Sequence, residues 1–399
     1  MPNVRHVDIA IAGGGLTGCL AALVFARRFP ELSIALLDHQ QGATYQDPRG
    51  LALALRTQQV LAEYGIWNGA LERSAAISHI HVSETEAPGS MEMHAERENL
   101  PALGYVAMAG VLQQALDERC AQVSKEHTLL RHERGVQIRQ LVADDSGYTL
   151  NIEGMKDPLH CRLLVVAEGS NSSTRDLLGI EMTRSAYDQV AIAGVVTYQQ
   201  KHQGWAFERF TPHGPAALLP QGNREAALVW CMQPEQAQHL MTLPEQEQLR
   251  AVQKVFGAAP GRLEKVMLQG KFPLQLALAD RFIGHRAVVI GNACHTLHPV
   301  AGQGYNLGVR DILELAQQLD AKDPGAIPGL QAYRTQRQRD YAEIISLTHG
   351  LVNIFANPNP VLRHARSKAL YTLRMCNLLS KPLMRKAMGF RSLFSSAGS

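Results

Sequence analysis

Residues 290–311, IGNACHTLHPVAGQGYNLGVRD, gather Asn292, Cys294, His295, His298, Asp311 and four glycines in one short run. A Cys beside a His raises a thiol nucleophile with its base. Two His three residues apart raise a metal, and a Gly-rich loop entering a helix raises an anionic cofactor. Cys294 and His295 are adjacent, so their side chains diverge on either a helix or a strand, and no GxSxG elbow accompanies them. His295 and His298 are followed at once by Pro299, with no third ligand near, which argues against zinc. His79 and His81 alternate on one strand face and read as a half-exposed strand pair. The cofactor loop is the chemistry that remains.

Such a loop needs a sheet to present it. The segment from Val7, VDIAIAGGGLTGCLAALVFARRFPELSIALLDHQ, has the layout of a nucleotide-binding βαβ unit. An apolar strand, Val7 to Ala12, runs into Gly13, Gly15 and Gly18, then a helix to about Phe29, then a strand from Ser33 to Leu37 ending at Asp38. The glycines serve a tight turn, close approach to a pyrophosphate and close helix-to-strand packing, while the helix N-terminus offers unpaired N–H groups. Asp38 is placed to accept from a ribose hydroxyl. This unit alone fits NAD as well as FAD. Two later segments repeat the pattern: RLLVVAEGSNSS (162–173) breaks at Glu168-Gly169 with Arg175 following, and AVVIGN (287–292) leads into the opening run. Three strand ends can converge on one extended ligand of FAD size.

The chain has 399 residues, 46% hydrophobic and 19% charged, ordinary for a soluble globular protein large enough for two domains. Six scattered cysteines with no CxxC pair argue for reduced thiols in a cytosolic protein and against a disulfide framework. The apolar stretch Ile9 to Ala26 holds four glycines, follows Asp8 and lacks a preceding basic cluster. A buried strand, turn and helix therefore explain it better than a membrane span or signal, and no export signal is expected. The net charge of +3 hides an asymmetry: Ile344 to Ser399 holds eight basic residues and no acid, leaving residues 1–343 at −5. No motif supports nucleic-acid binding.

In combination, GGGLTG with Asp38, AEGSNSSTR and IGNACHTLHPVAGQGYNLGVRD resemble the three motifs of the FAD-dependent aromatic hydroxylases, the p-hydroxybenzoate hydroxylase fold group. DPRGLALAL (47–55) resembles the segment whose arginine, here Arg49, lies beside the flavin. FERFTPHGPAALLP (207–220) and LVWCM (228–232) are similar to the ubiquinone-biosynthesis branch. Glu168 stands where the family has Asp. So does Asn292, which still accepts a hydrogen bond from the ribitol but removes a negative charge. Gln114 lies near a helix position where many relatives carry an FAD-contacting arginine.

The resemblance implies an α/β fold: a Rossmann-like FAD domain with an inserted β-sheet substrate domain and C-terminal helices. It implies hydroxylation of the ring of a polyprenyl methoxyphenol with NAD(P)H, O2 and a C4a-hydroperoxyflavin. A sister hydroxylase acting at another ring carbon, or a flavin-binding scaffold subunit, shares the same motifs. Cofactor contacts are implied for Gly13, Gly15, Gly18, Asp38, Arg49, Gln114, Glu168, Gly169, Asn292, Pro299, Gly302, Gln303, Gly304 and Asn306. Pro299 and Arg49 are implied at the flavin ring. His213, in PHGP, is either a polar contact to the phenol or a surface-turn histidine.

The expected FAD domain is discontinuous, 1–75, 104–180 and 270–335. The substrate domain is 76–103 and 181–269, with 84–100 a polar hairpin or loop, and a basic helical segment covers 336–399. Between Asn357 and Asn377, Leu362, Ala365, Ala369, Leu373 and Cys376 recur at helical spacing. This helix either packs on the FAD domain or lies on an anionic membrane or an acidic partner, other ubiquinone-biosynthesis proteins included. A cytoplasmic location, peripheral at the inner face of the membrane, follows from the second reading.

Overall fold

β1 (Arg5–Ala12), α1 (Leu16–Arg28) and β2 (Ile34–Asp38) form the opening unit of the computed structural model. The model describes residues 4–42, 47–85, 89–297 and 303–356, with backbone alone for 303, 345 and 347–356. β3 (Gly50–Ala54) follows, then the hairpin of β4 (His79–Glu84) and β5 (Ser90–His94). β6 (Gly104–Met108) runs into α2 (Ala109–Glu126) and β7 (Leu130–Arg134), and β8 (Leu159–Val166) precedes α3 (Ser173–Leu177). β9 (Met182–Tyr198), β10 (Trp205–Thr211), β11 (Gly214–Gln221) and β12 (Glu225–Met232) lead through α4 (Glu245–Phe256) to β13 (Leu263–Ala279). β14 (Ala287–Val289), α5 (Gln303–Gln318) and α6 (Ile327–Ala356) complete the described chain.

β14, β8, β1, β2 and β7 lie side by side in that order, all parallel. Parallel strands covered on both faces read as continuous apolar runs. Accordingly Ile9 to Ile11 and Leu163 to Val166 are fully buried, and Gly18 to Phe25 of α1 pack against them. All five strands point their carboxyl ends to one edge.

The second sheet runs β13, β9, β12, β11, β10, β4, β5. One face carries Val196, Phe207, Ala216, Leu218 and Leu228 against Val252 and Phe256 of α4. The other turns toward the first domain, with Ala206 packed near Ile77 and Val106. β9 and β13 pair from Met182 with Ala279 to Tyr198 with Leu263. The boundary expected between 269 and 270 therefore cuts a continuous strand, since pairing with β9 carries β13 to the sheet's end. The boundary expected at 336 likewise falls inside α6. Residues 357–399, with the expected basic helix, lie outside the described residues. Among the described residues no helix is long and apolar enough to cross a membrane. Nor does any group of three or more His, Cys, Asp or Glu side chains there form a metal site. In β4, His79 stacks on Trp205 at 4.7 Å, and its Nδ1 lies 3.0 Å from Nδ1 of His94.

Candidate functional site

The site lies at the carboxyl edge of the parallel sheet. After β1 the chain enters Gly13 at φ +106°, a left-handed conformation that side chains rarely adopt, and Gly13 N donates to Leu37 O at 2.8 Å. A Cβ on Gly18 would sit 1.8 Å from Gly13 O, so α1 packs this closely only with glycine there. A Cβ on Gly14 would meet Asp38 Oδ2 at 2.4 Å, which places the buried Asp38 carboxylate directly under the turn. Gly15 instead is exposed, with nothing within 4 Å of its Cβ position. It caps α1 without a side-chain hydrogen bond, and no acid occupies the first turn. This helix end is thus an open, positively polarised seat for an anion.

α2 pins the turn from behind. Gln113 Nε2 donates to Gly14 O at 3.0 Å and to Asp117 Oδ1 at 3.3 Å, Cys19 Sγ also reaches Gly14 O at 3.0 Å, and Asp117 pairs with Arg134 at 3.0 Å. The expectation for Gln114 differs from its placement: it is exposed and donates to Glu118 Oε1 at 2.9 Å. One helical step, about 100°, separates the two glutamines, so only Gln113 faces α1. Sequence reasoning missed Gln113 and Asp117, although their i, i+4 spacing on α2 was available as a signal.

The other two motifs are tied to each other. Arg175, buried in α3, donates through Nη1 to Ser170 O at 3.1 Å and to Ala293 O at 3.3 Å, bridging the second motif to the third. Glu168 does not present its carboxylate as a cofactor contact. It accepts from Ser172 Oγ at 2.6 Å, Thr174 N at 2.9 Å and Thr174 Oγ1 at 2.8 Å, so it caps α3. Gly169 beside it has open space at its Cβ position. Gly291, at φ +60°, lies against Thr17 of α1, where a Cβ would meet the Thr17 side chain at 2.8 Å. A Cβ on Gly308 of α5 would meet the same side chain at 3.4 Å, so first and third motifs meet around Thr17. Asn292, between these contacts, is exposed.

Asp311 anchors this arrangement. Fully buried, it accepts from Gly291 N at 2.9 Å, Arg337 Nε at 2.8 Å and Tyr341 Oη at 2.7 Å, and pairs with His295 Nε2 at 3.2 Å. Burial works to raise its pKa, yet Arg337, His295 and Tyr341 together hold it below the usual carboxylate range. His295 is thus a structural partner of Asp311. Cys294 is buried, and burial pushes its thiol far above the usual range, the opposite of an activated nucleophile.

Arg49, at the start of β3, is exposed and bidentate with Asp47, Nε to Oδ1 at 2.9 Å, an ion pair that raises its pKa. Asn306 turns away from the open space: its Oδ1 accepts from Ala54 N at 2.9 Å and its Nδ2 donates to Ala52 O at 2.9 Å, stapling α5 to β3. Asn306→Ala strands these β3 groups and is expected to lower stability by about 2 kcal/mol. An unfolding free energy within about 0.5 kcal/mol of wild type, measured by denaturant titration, rejects this role. Gly304, in the first turn of α5, has open space at its Cβ position. His213 sits on the exposed turn between β10 and β11, its Nδ1 3.4 Å from Gln236 Nε2, as a surface-turn histidine does. Pro299 and Gly302 lie outside the described residues, as does the side chain of Gln303.

Gly15, Gly169 and Gly304, one from each motif, all border open space, while Gly13, Gly18 and Gly291 are crowded by backbone or side chain. A cradle with an anion seat at α1, a buried carboxylate at the end of β2 and a further helix N-terminus at α5 fits an extended dinucleotide such as FAD.

The chain matches the model of the FAD binding domain family over residues 6–347. It is 31% identical over 394 residues to ubiquinone hydroxylase UbiL of Rhodospirillum rubrum, covering 96% of this chain and 90% of that protein. It is 28% identical to 3-demethoxyubiquinol 3-hydroxylase of Escherichia coli over 398 residues, 96% and 99% of the two chains. Human ubiquinone biosynthesis monooxygenase COQ6 is 27% identical over 441 residues, 96% and 92% covered. In architecture it is similar to p-nitrophenol 4-monooxygenase PnpA of Pseudomonas putida, with TM-score 0.76 and 16% identity over 98% of this chain and all of that one. The cradle at the sheet edge and the match along nearly the whole chain agree: this protein belongs to the FAD binding domain family and is a flavin-dependent monooxygenase of the p-hydroxybenzoate hydroxylase fold.

Proposed function

We propose that this protein hydroxylates the aromatic ring of a polyprenyl methoxyphenol in ubiquinone biosynthesis, with NAD(P)H as electron donor. The observation that carries the reading is 31% identity over 96% of the chain to a protein named a ubiquinone hydroxylase. An apolar sheet face turned toward the cofactor cradle supports it. FAD, when bound, supplies the transfer of electrons to dioxygen and of one oxygen atom to the ring.

The chain's own residues bind and orient. Gly13, Gly15 and Gly18 with the α1 N-terminus would hold the pyrophosphate, Asp38 a ribose hydroxyl and Asn292 the ribitol side. Arg49, Gly169, Gly304 and the α5 N-terminus would border the flavin, with Pro299 and Gly302 in the loop before α5. The second sheet, the substrate domain in this reading, would exclude water from the ring. The acid-free basic segment from Ile344 to Ser399 supports a peripheral seat on an anionic membrane, where a polyprenyl chain would reside.

Purified protein is expected to be yellow and to oxidise NAD(P)H faster when a short-chain methoxyphenol is added. A strain lacking the gene is expected to accumulate a quinone precursor short of one ring hydroxyl, whose structure names the ring position. A colourless protein after FAD reconstitution, or an unchanged quinone profile in that strain, would sink the reading.

A further inference from the structure

β10 reads WAFERFT, and strand alternation sends its residues to opposite faces of the second sheet. Trp205 and Phe207 join the core beneath α4, and Ala206 packs on the face toward the first domain. Glu208 shares that second face. Its strand neighbours there are Val82 on β4 and Ala217 on β11, and Ala217 in turn pairs with Val229 on β12. In the adjacent row of this face, Ala227 meets Gly50 of β3, where a Cβ on Gly50 would lie 3.1 Å from Ala227 Cβ. Glu208 therefore stands one row along and two strands across from Ala227, the residue that meets the strand beginning beside Arg49, a separation of about 12 Å.

A carboxylate on an apolar sheet face needs a reason. Among the described residues no hydrogen bond or ion pair meets Glu208, whereas Arg209, one residue on and facing the other way, donates to Ser83 Oγ at 3.1 Å. The Glu208 side chain is surrounded by protein and only partly exposed to solvent. Structural carboxylates in this chain, Glu168 and Asp311, are saturated with donors; Glu208 has no such donor among the described residues.

Few charges compete with it. On the same face Cys231 lies diagonally across on β12, with Glu84 at the end of β4 and Glu225 at the start of β12. β11 has no titratable side chain, the strands β3 and β6 offer only Tyr105, and residues 344–356 of α6 contain only His349. Arg49 is engaged by Asp47.

Resting on the phenol substrate argued above, we propose that Glu208 is the proton acceptor for the substrate's phenolic hydroxyl. The O–H bond breaks, the proton passes to a Glu208 carboxylate oxygen, and the bonding pair stays on the phenolic oxygen and spreads into the ring, activating the carbon that receives oxygen. After transfer the proton returns to that oxygen, leaving Glu208 unchanged over the cycle. Burial pushes the Glu208 carboxyl up to about 8, so the ionised form that accepts the proton predominates above about pH 8, and there it lies within about two units of a phenol instead of about six for an ordinary carboxylate.

The test uses flavin-loaded protein and dinitrophenol, a phenol already ionised at neutral pH, with binding read by equilibrium dialysis. As pH rises through about 8 Glu208 becomes charged and repels the phenolate. Wild-type affinity is therefore expected to fall about tenfold between about pH 7 and about pH 9, while Glu208→Gln changes less than about twofold. With a neutral methoxyphenol, product formation by Glu208→Gln is expected to drop about 100-fold. Should Glu208→Gln fail to take up flavin, Glu208→Asp, which keeps the charge but shortens the arm, is expected to lose about tenfold in product formation while keeping the pH dependence of dinitrophenol binding. Equal pH dependence in wild type and Glu208→Gln, or wild-type product formation in whichever variant takes up flavin, would overturn the proposal while leaving phenol hydroxylation standing. Wild-type protein that neither binds nor hydroxylates any phenol overturns the functional reading itself.

Discussion

Asp311→Ala is expected to destabilise the apo-protein by about 3–5 kcal/mol, the cost of taking the central carboxylate out of a fully buried network and leaving Arg337 with Asp340 as its remaining carboxylate partner. Arg337 is 2% exposed and His295 fully buried, so neither can recover its lost partner from water. Gly291 N loses its acceptor at the same time, which frees the turn that packs on Thr17. Flavin affinity should therefore fall with stability, although Asp311 itself is buried away from the open space. The same network carries an acid dependence. Its folded pKa is depressed, so its contribution is fully present above the unfolded carboxylate value, about 4, and is lost as pH falls through the lower folded value. Asp311→Asn, which keeps the shape and can still accept from Gly291 N, is expected to cost less. Urea unfolding of apo-protein measures both variants; a loss below about 1 kcal/mol in Asp311→Ala would remove Asp311 from the centre of the third motif.

Two glycines three positions apart in the first motif, Gly15 and Gly18, are expected to behave oppositely when replaced by alanine. In Gly18→Ala the new methyl would lie 1.8 Å from Gly13 O, so α1 must lift from the turn and the protein is expected to lose both flavin and stability. In Gly15→Ala nothing stands within 4 Å of the new methyl, and apo-protein stability is expected to stay within about 0.5 kcal/mol of wild type. That methyl instead occupies the open seat at the α1 N-terminus, where an anion must approach backbone N–H groups closely. Flavin Kd is expected to rise at least about 100-fold, roughly 2.7 kcal/mol. Fluorescence titration of flavin into each apo-protein reads the difference. Wild-type affinity in Gly15→Ala would place the pyrophosphate elsewhere.

Much of the fold was written locally. The apolar runs of β1, β2 and β8 are legible because strands of a parallel sheet are buried on both faces, and glycine spacing marks the turn because only glycine tolerates those contacts. The order of three strand ends, each followed by small and polar residues, foretold one edge and one extended ligand. Resemblance then supplied the family.

What a side chain does at that edge depends on which way it points, and sequence does not carry direction over long separations. Glu168 and Asn306 stood at motif positions and still turned inward, Glu168 to Ser172 and Thr174 at the start of α3 and Asn306 to Ala52 O and Ala54 N of β3. Gln113 faces the turn and Gln114 faces water because α2 docks on α1 through one stripe. Asp311 meets Arg337 and Tyr341 across 26 and 30 residues, a meeting made by the packing of α6 on α5. Glu208 reads as one more charge in FERFT until alternation along β10 puts it on an apolar wall. Sequence by itself determined the strands, the turn glycines and the family, all set by neighbours along the chain. Tertiary packing decided which polar groups were spent on the fold and which were left facing the site, because each buried donor or acceptor takes the partner that the assembled elements bring to it.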